Sequence, residues 1–301
     1  MRLSAAALVA VVFALAVAAP LHAGTARVSY THFQNGTIAL VTAEYVAAPD
    51  EVNVATVTVE ATQAGTVFRV HDASAPVIAG RGFIALSNRE AVATVTEVPA
   101  NGFVTRLSLG DRNDRALVDL PDAVPVGDAV LAGGPGSDEL VVASRHSGAA
   151  TLVGGPGSDL LDGGSGGGAA SYVDHLRPVR VDLDGVDDDG SLGERDRLRN
   201  ITIVWGGPRN DAIIGSGAGE RLFGRGGSDV IHGGGGNDTL DGEWGADRVA
   251  GGLGHDRVEG GAGNDVLYAR DGLRDLVYGR SGFDRALLDR IDAGRGIERR
   301  L

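Results

Sequence analysis

From Gly206 to Tyr268 one apolar position returns every nine residues: Ile213, Leu222, Ile231, Leu240, Val249, Val258 and Leu267. An acid stands two places before each, at Asp211, Glu220, Asp229, Asp238, Asp247, Asp256 and Asp265. A glycine opens every unit, at Gly206, Gly215, Gly224, Gly233, Gly242, Gly251 and Gly260. The glycine-rich first half predicts a tight turn. The last three residues predict a very short strand that turns one apolar side chain inward. Alone such a strand buries almost nothing, so the units must stack, coil upon coil, and share one core.

Upstream the pattern is different. Residues 24–130 show short alternating runs, Arg27–Tyr30, Thr37–Tyr45, Val52–Glu60, Thr66–Val70, Val92–Val98 and Val104–Leu109, with turn signals such as Asn35-Gly36, Pro49-Asp50, Ala64-Gly65 and Asn101-Gly102. This predicts an all-β segment. In Val54–Glu60 the alternation puts Ala55, Val57 and Val59 on one face. The nine-residue unit emerges in degenerate form at Gly110–Val118 and in full at Gly133–Val141 and Gly154–Asp162, which carry Asp138 and Asp159. Gly163–Ser171 has Gly168 where the acid should be.

The expected organisation is a secretory signal at 1–23, a β-rich N-terminal region at 24–130 and a first repeat block at 131–171. An acidic inserted loop with flanking strands (172–205), the main repeat block (206–287) and a C-terminal cap or tail (288–301) follow. Residues 24–130 read as divergent coils of the same solenoid, a separate small β-sandwich being the alternative, because terminal repeats must hide an open end.

The units resemble the glycine- and aspartate-rich nonapeptide of the RTX, or haemolysin-type calcium-binding, repeat family, G-G-x-G-x-D-x-U-x. Gly233–Asp241 and Gly260–Tyr268 match every fixed place. The resemblance implies an all-β, right-handed parallel β-roll, a β-solenoid in which two units make one coil and several calcium ions sit between turns of neighbouring coils. Carried onto this chain, it pairs Asp211 with Asp229, Asp229 with Asp247, and Asp247 with Asp265 on one side, and Asp238 with Asp256 on the other. The metal ligands it implies are thus Asp138, Asp159, Asp211, Asp229, Asp238, Asp247, Asp256 and Asp265. Departures fall at Arg209, at Ala218 and Glu220, and at Glu243-Trp244. They single out the turns of Asp211 and Glu220 as the weakest matches.

Composition narrows the chemistry. The chain has 301 residues, 48 glycines, no cysteine, 5% aromatic residues and a net charge of −13. Such a balance disfavours nucleic acid as a partner. It also argues against a thick globular core. Turn carboxylates and open carbonyls suit calcium, which takes six to eight oxygens in flexible geometry, better than magnesium. Zinc would ask for clustered His or Cys; the seven histidines are scattered and read as surface or turn residues. On the order of three to eight ions, with affinities near ~10⁻⁴–10⁻³ M, are expected, and folding should be coupled to them. Met1–Ala23 has the charge, apolar run and small-residue end of a secretory signal, with an uncleaved anchor as the rival reading. Asp182–Gly190 lacks the EF-hand spacing and reads as a solvated loop, with an extra calcium site as the alternative. Gly163–Gly167 spells G-x-S-x-G without the strand and helix that a nucleophile elbow needs. These features predict a secreted, extracellular, non-enzymatic calcium-binding protein with a structural or adhesive role. Cell-surface glycans or other surface proteins are its expected partners, and no membrane span is expected after signal removal. The alternative is a calcium-dependent extracellular enzyme acting on a polysaccharide or other polymer.

Overall fold

In a computed structural model the structure describes residues 24–32, 38–47, 54–62, 65–72, 77–79, 84–87, 90–95, 103–119, 126–143 and 150–301. Met1–Ala23, expected to be a secretory signal, and the turns at Asn35-Gly36, Pro49-Asp50 and Asn101-Gly102 lie outside these residues. Among the described residues there is no helix, and 29 strands form sheets of thirteen, eight and eight strands. The chain folds as an all-β parallel roll.

The period of the roll follows from the sequence. Successive strands of the main block pair in parallel with partners 18 residues on: Ala212 with Val230, Val230 with Arg248 and Arg248 with Val266 on one sheet, Arg221 with Thr239 and Thr239 with Arg257 on the other. One coil is therefore two nine-residue units, one strand to each sheet. The inward aliphatics Ile213, Leu222, Ile231, Leu240, Val249, Val258 and Leu267 are all buried and belong to one core. After Tyr268 the register slips by one in the sequence, and the coil becomes 19 residues, pairing Arg257 with Leu276 and Val266 with Arg285. The extra residue is absorbed in the turn, so the strands stay aligned. Residues 288–301 continue the roll through Ala293–Arg295 and Arg299–Arg300.

The insert reorganises the sheets. After Gly168–Ser171 on the long sheet the chain forms Val179–Asp182, a return strand at Gly190–Ser191 and then Arg197–Arg199. Arg197–Arg199 completes the N-terminal short sheet by pairing with Leu160–Asp162, whereas Val179–Asp182 begins the C-terminal short sheet by pairing with Ala212–Ile214. Ile201–Trp205 then rejoins the long sheet beside Gly168–Ser171. One short sheet thus hands over to the other while the long sheet runs through.

Upstream, Ile38–Val46 and Val54–Thr62 lie parallel to Phe103–Ser108 and Arg115–Asp119. Beyond them the pairing turns antiparallel, Gly24–His32 against Ile38–Val46 and Val54–Thr62 against Gly65–Asp72. In the degenerate unit after Gly110, Ala116 and Val118 are buried and Leu117 is exposed, one place off the register read from the letters.

Candidate metal-binding turns

Each repeat acid sits at the end of its turn, immediately before a strand, and reaches back to the previous coil. The backbone N–H of Asp211 donates to Asp229 Oδ1 (2.7 Å), Asp229 to Asp247 (2.7 Å), Asp247 to Asp265 (2.9 Å) and Asp265 to Asp284 (2.9 Å). A second row runs along the other edge, from Glu220 through Asp238 (2.8 Å), Asp256 (2.9 Å) and Asp275 (2.8 Å) to Asp292 (3.1 Å). A third row serves the N-terminal short sheet: Asp114 to Asp138 (2.7 Å), Asp138 to Asp159 (2.8 Å) and Asp159 to Asp196 (2.9 Å). The sequence-predicted acids occupy all three rows, and the 18-residue pairs are the pairs that touch.

One carboxylate oxygen of each acid is spoken for by this ladder. The other decides the chemistry. Oδ2 of Asp138, Asp159, Asp229, Asp238, Asp247, Asp256, Asp265, Asp275 and Asp284 is buried without a hydrogen-bond partner. An unpaired buried charge is expensive. Burial pushes these carboxyls up from 3.8, against the pull of the ladder N–H, to about 7 in Asp138, Asp229 and Asp238, about 8 in Asp159, and about 6 in Asp247, Asp265 and Asp275. Three pKa units amount to roughly 4 kcal/mol for each carboxylate. That is a large share of the stability of a domain, roughly 5–15 kcal/mol. The rows therefore need protons or cations.

The surroundings suit a hard cation. At Gly224, a Cβ would meet Asp229 Oδ2 of its own unit and, at 2.9 Å, the carbonyl oxygen of Gly242 in the next coil. The same pair of oxygens, one charged and one carbonyl, converges beside Gly233, Gly242 and Gly133. A glycine opens the unit because the space a side chain would fill is an oxygen-lined cradle. Further along the turn, backbone packs on backbone. Gly245, Gly254 and Gly263 have φ between 145° and 149°, and a Cβ on any of them would overlap a carbonyl of the preceding coil.

Where the letters depart from the pattern, the protein itself uses the second oxygen. Asp211 Oδ2 accepts the Gly207 N–H at 2.6 Å, and its Oδ1 accepts from Val179 at 2.9 Å. Glu220 is bonded through Ser216, from the hydroxyl and from the N–H. At the row ends, Asp196 Oδ2 accepts from Tyr172 at 3.1 Å and Asp292 Oδ2 from the Asp289 N–H at 2.5 Å. Asp211 thus differs from the other predicted ligands in having no spare oxygen. Asp275 and Asp284 join the candidates. Their signal was present in the sequence as the acid and aliphatic of the degenerate units after Tyr268.

Two features of the insert differ from expectation. His175, expected at the surface or in a turn, closes the turn from Tyr172 but is buried against its ring, with Nδ1 3.1 Å from Asp174 and Nε2 3.3 Å from Glu194. In the acidic loop, carboxylates of Asp182, Asp184 and Asp188 come within 4.8 Å of one another. The Arg180 guanidinium lies 2.8 Å from Asp182 and 4.0 Å from Asp188, so this cluster already holds a counter-charge.

A family model described as the RTX calcium-binding nonapeptide repeat (4 copies) matches residues 146–167, 205–240, 214–249, 241–273 and 250–286. The chain carries RTX calcium-binding repeats. No curated protein matches the sequence. The RTX matches cover the turns of Asp159 and of Asp211 to Asp284, leaving the turns of Asp114 and Asp138 outside them. The ladder and the orphaned Oδ2 nevertheless extend to Asp138.

Proposed function

We propose that this is a secreted protein whose RTX repeats fold around calcium and serve a structural or adhesive role without catalysis. The observation that carries the reading is the set of buried Oδ2 atoms, stacked coil after coil beside glycine carbonyls of the next coil. Asp138, Asp159, Asp229, Asp238, Asp247, Asp256, Asp265, Asp275 and Asp284 would hold the ions. Bound calcium supplies the positive charge that lets neighbouring carboxylates stay ionised. Coupling to folding follows because the cradles exist only when two coils are stacked. The secretory signal read in Met1–Ala23 supports an extracellular place of work, where calcium is abundant.

The ladder acids also speak to catalysis. A carboxylate acting as acid or base on a polymer must face its substrate, and these are buried with one oxygen fixed to backbone. The test is circular dichroism and isothermal titration on the purified protein. In chelator the repeat block should lose its β-spectrum, and millimolar calcium should restore it with measurable binding heat. An unchanged spectrum in chelator, or no heat, defeats the proposal. Turnover on a panel of extracellular glycans would favour the enzymatic alternative instead.

A further inference from the structure

The last two coils carry a surface charge at odds with the chain as a whole, which is −13. Arg274, Arg285, Arg290, Arg295, Arg299 and Arg300 are exposed, and none forms an ion pair among the described residues. The other two arginines of this stretch are engaged, Arg270 with Asp289 at 3.8 Å and Arg280 with Glu259. The acids of the same stretch are turned inward or tied to backbone. Asp275, Asp284 and Asp292 are buried in the ladder. Asp271 accepts from Gly254 and Leu273, Asp289 from Gly272, and Glu298 from Asp284. Exposed arginines therefore outnumber the outward carboxylates, of which Glu298 is exposed and Asp271 and Asp289 are partly so.

The arginines do not share one groove. Arg274 and Arg290 stand in consecutive turns on one edge, turns fastened by the Gly272 N–H to Asp289 at 2.6 Å. Arg285 and Arg299 are register partners on the short sheet, and Arg295 closes the last strand of the long sheet. Between them, Leu273, Phe283 and Ile291 stand exposed in the turns. All of these belong to the last two coils, some on the terminal coil and some one coil before it, so the end of the roll is the one side from which long side chains of every group can be met. Charges distributed around an end, with apolar side chains among them, match a planar anionic and amphiphilic partner. An extended acidic polymer would be matched by a single row without the apolar turns.

We propose that this end of the roll docks on an anionic phospholipid surface. The guanidinium groups meet headgroup phosphates, and Leu273, Phe283 and Ile291 enter the interfacial layer. Vesicle flotation tests this, using the full chain in calcium with phosphatidylcholine vesicles and with vesicles containing phosphatidylglycerol. Binding is expected only to the anionic vesicles, and raised salt should weaken it. The combined variant Arg274→Gln, Arg290→Gln, Arg299→Gln and Arg300→Gln should weaken it at least tenfold, with its circular dichroism unchanged. A second variant, Phe283→Ser with Ile291→Ser, changes only exposed side chains and should also bind more weakly. The proposal is overturned if the anionic vesicles do not bind, if both variants float like the parent, or if an acidic polysaccharide captures the protein and the vesicles do not. Calcium binding is followed separately by titration, so failure of the metal reading and failure of the docking reading are distinguishable.

Discussion

Asp238 faces two demands at once. Its Oδ1 must accept the Glu220 N–H, and its Oδ2 must sit buried with no donor in reach. Asparagine meets the first demand and removes the charge that makes the second costly. Asp238→Asn should therefore raise stability in chelator at neutral pH, by on the order of 1–3 kcal/mol, and lower it in calcium by weakening one site. Circular dichroism in EDTA, where the variant should keep more β-structure than the parent, and urea midpoints in millimolar calcium check this; a gain in both conditions or a loss in both would contradict the assignment. The opening glycine gives a matched pair. At Gly233 a Cβ would overlap Asp238 Oδ2 and the Gly251 carbonyl, whereas at Gly217 nothing lies within 4 Å. Gly233→Ala should cost several kcal/mol, the size of a core overpacking or worse. Gly217→Ala should stay within about 0.5 kcal/mol. Equal midpoints for the two variants would refute the cradle.

A row of acids along a turn edge behaves as one titrating element. In the metal-free roll the carboxyls of Asp138, Asp159, Asp229 and Asp238 lie at about 7 to 8, above their ordinary 3.8, because burial disfavours the charge. A carboxyl raised on folding binds its proton more tightly in the native state, so stability grows as pH falls. The gain begins below about pH 8 and is complete near pH 4. In chelator, the β-spectrum lost at neutral pH and above should return as pH falls to 5. In calcium the sign reverses, since protons compete with the metal for the same oxygens. Circular dichroism at pH 8 and pH 5 in EDTA, and thermal melts at the same pH values in calcium, test this.

Much of this element was legible beforehand. The nine-residue period and the inward aliphatics from Ile213 to Leu267 need only spacing, whereas the 18-residue partnership of the acids is what the resemblance to RTX repeats implies. Three things were not legible. Asp114 and Asp196 join the N-terminal row through coils of 24 and 37 residues, which no fixed period predicts. Asp211 loses its spare oxygen to a single backbone N–H, a matter of turn geometry. His175 is buried because the insert brings Glu194 to within 3.3 Å of its Nε2, a contact between segments that local pattern does not encode.

At the scale of the molecule, each coil touches its neighbours and little else, so stability should be a sum of coil terms and interface terms. Asp247 and Asp284 make this measurable, because their local settings match. Both are buried, both offer Oδ1 to the N–H one coil back, at 2.7 Å for Asp247 and 2.9 Å for Asp284, and both have an orphaned Oδ2. They differ in position, with Asp247 mid-row and Asp284 one step from the end, where Glu298 takes the last place. Breaking the row at Asp247 separates the C-terminal coils from the coils that join the insert, so two shorter stacks must each hold together with fewer interfaces. Breaking it at Asp284 frays only the terminal coil. In saturating calcium, Asp247→Asn should therefore lower the melting temperature several degrees more than Asp284→Asn, and it should broaden the transition. Hydrogen exchange should show the same asymmetry, with loss of protection spreading to both sides of Asp247 but staying beyond Tyr268 for Asp284. Identical melting curves would mean that the coils are not coupled in series. The continuous long sheet would then set the stability on its own.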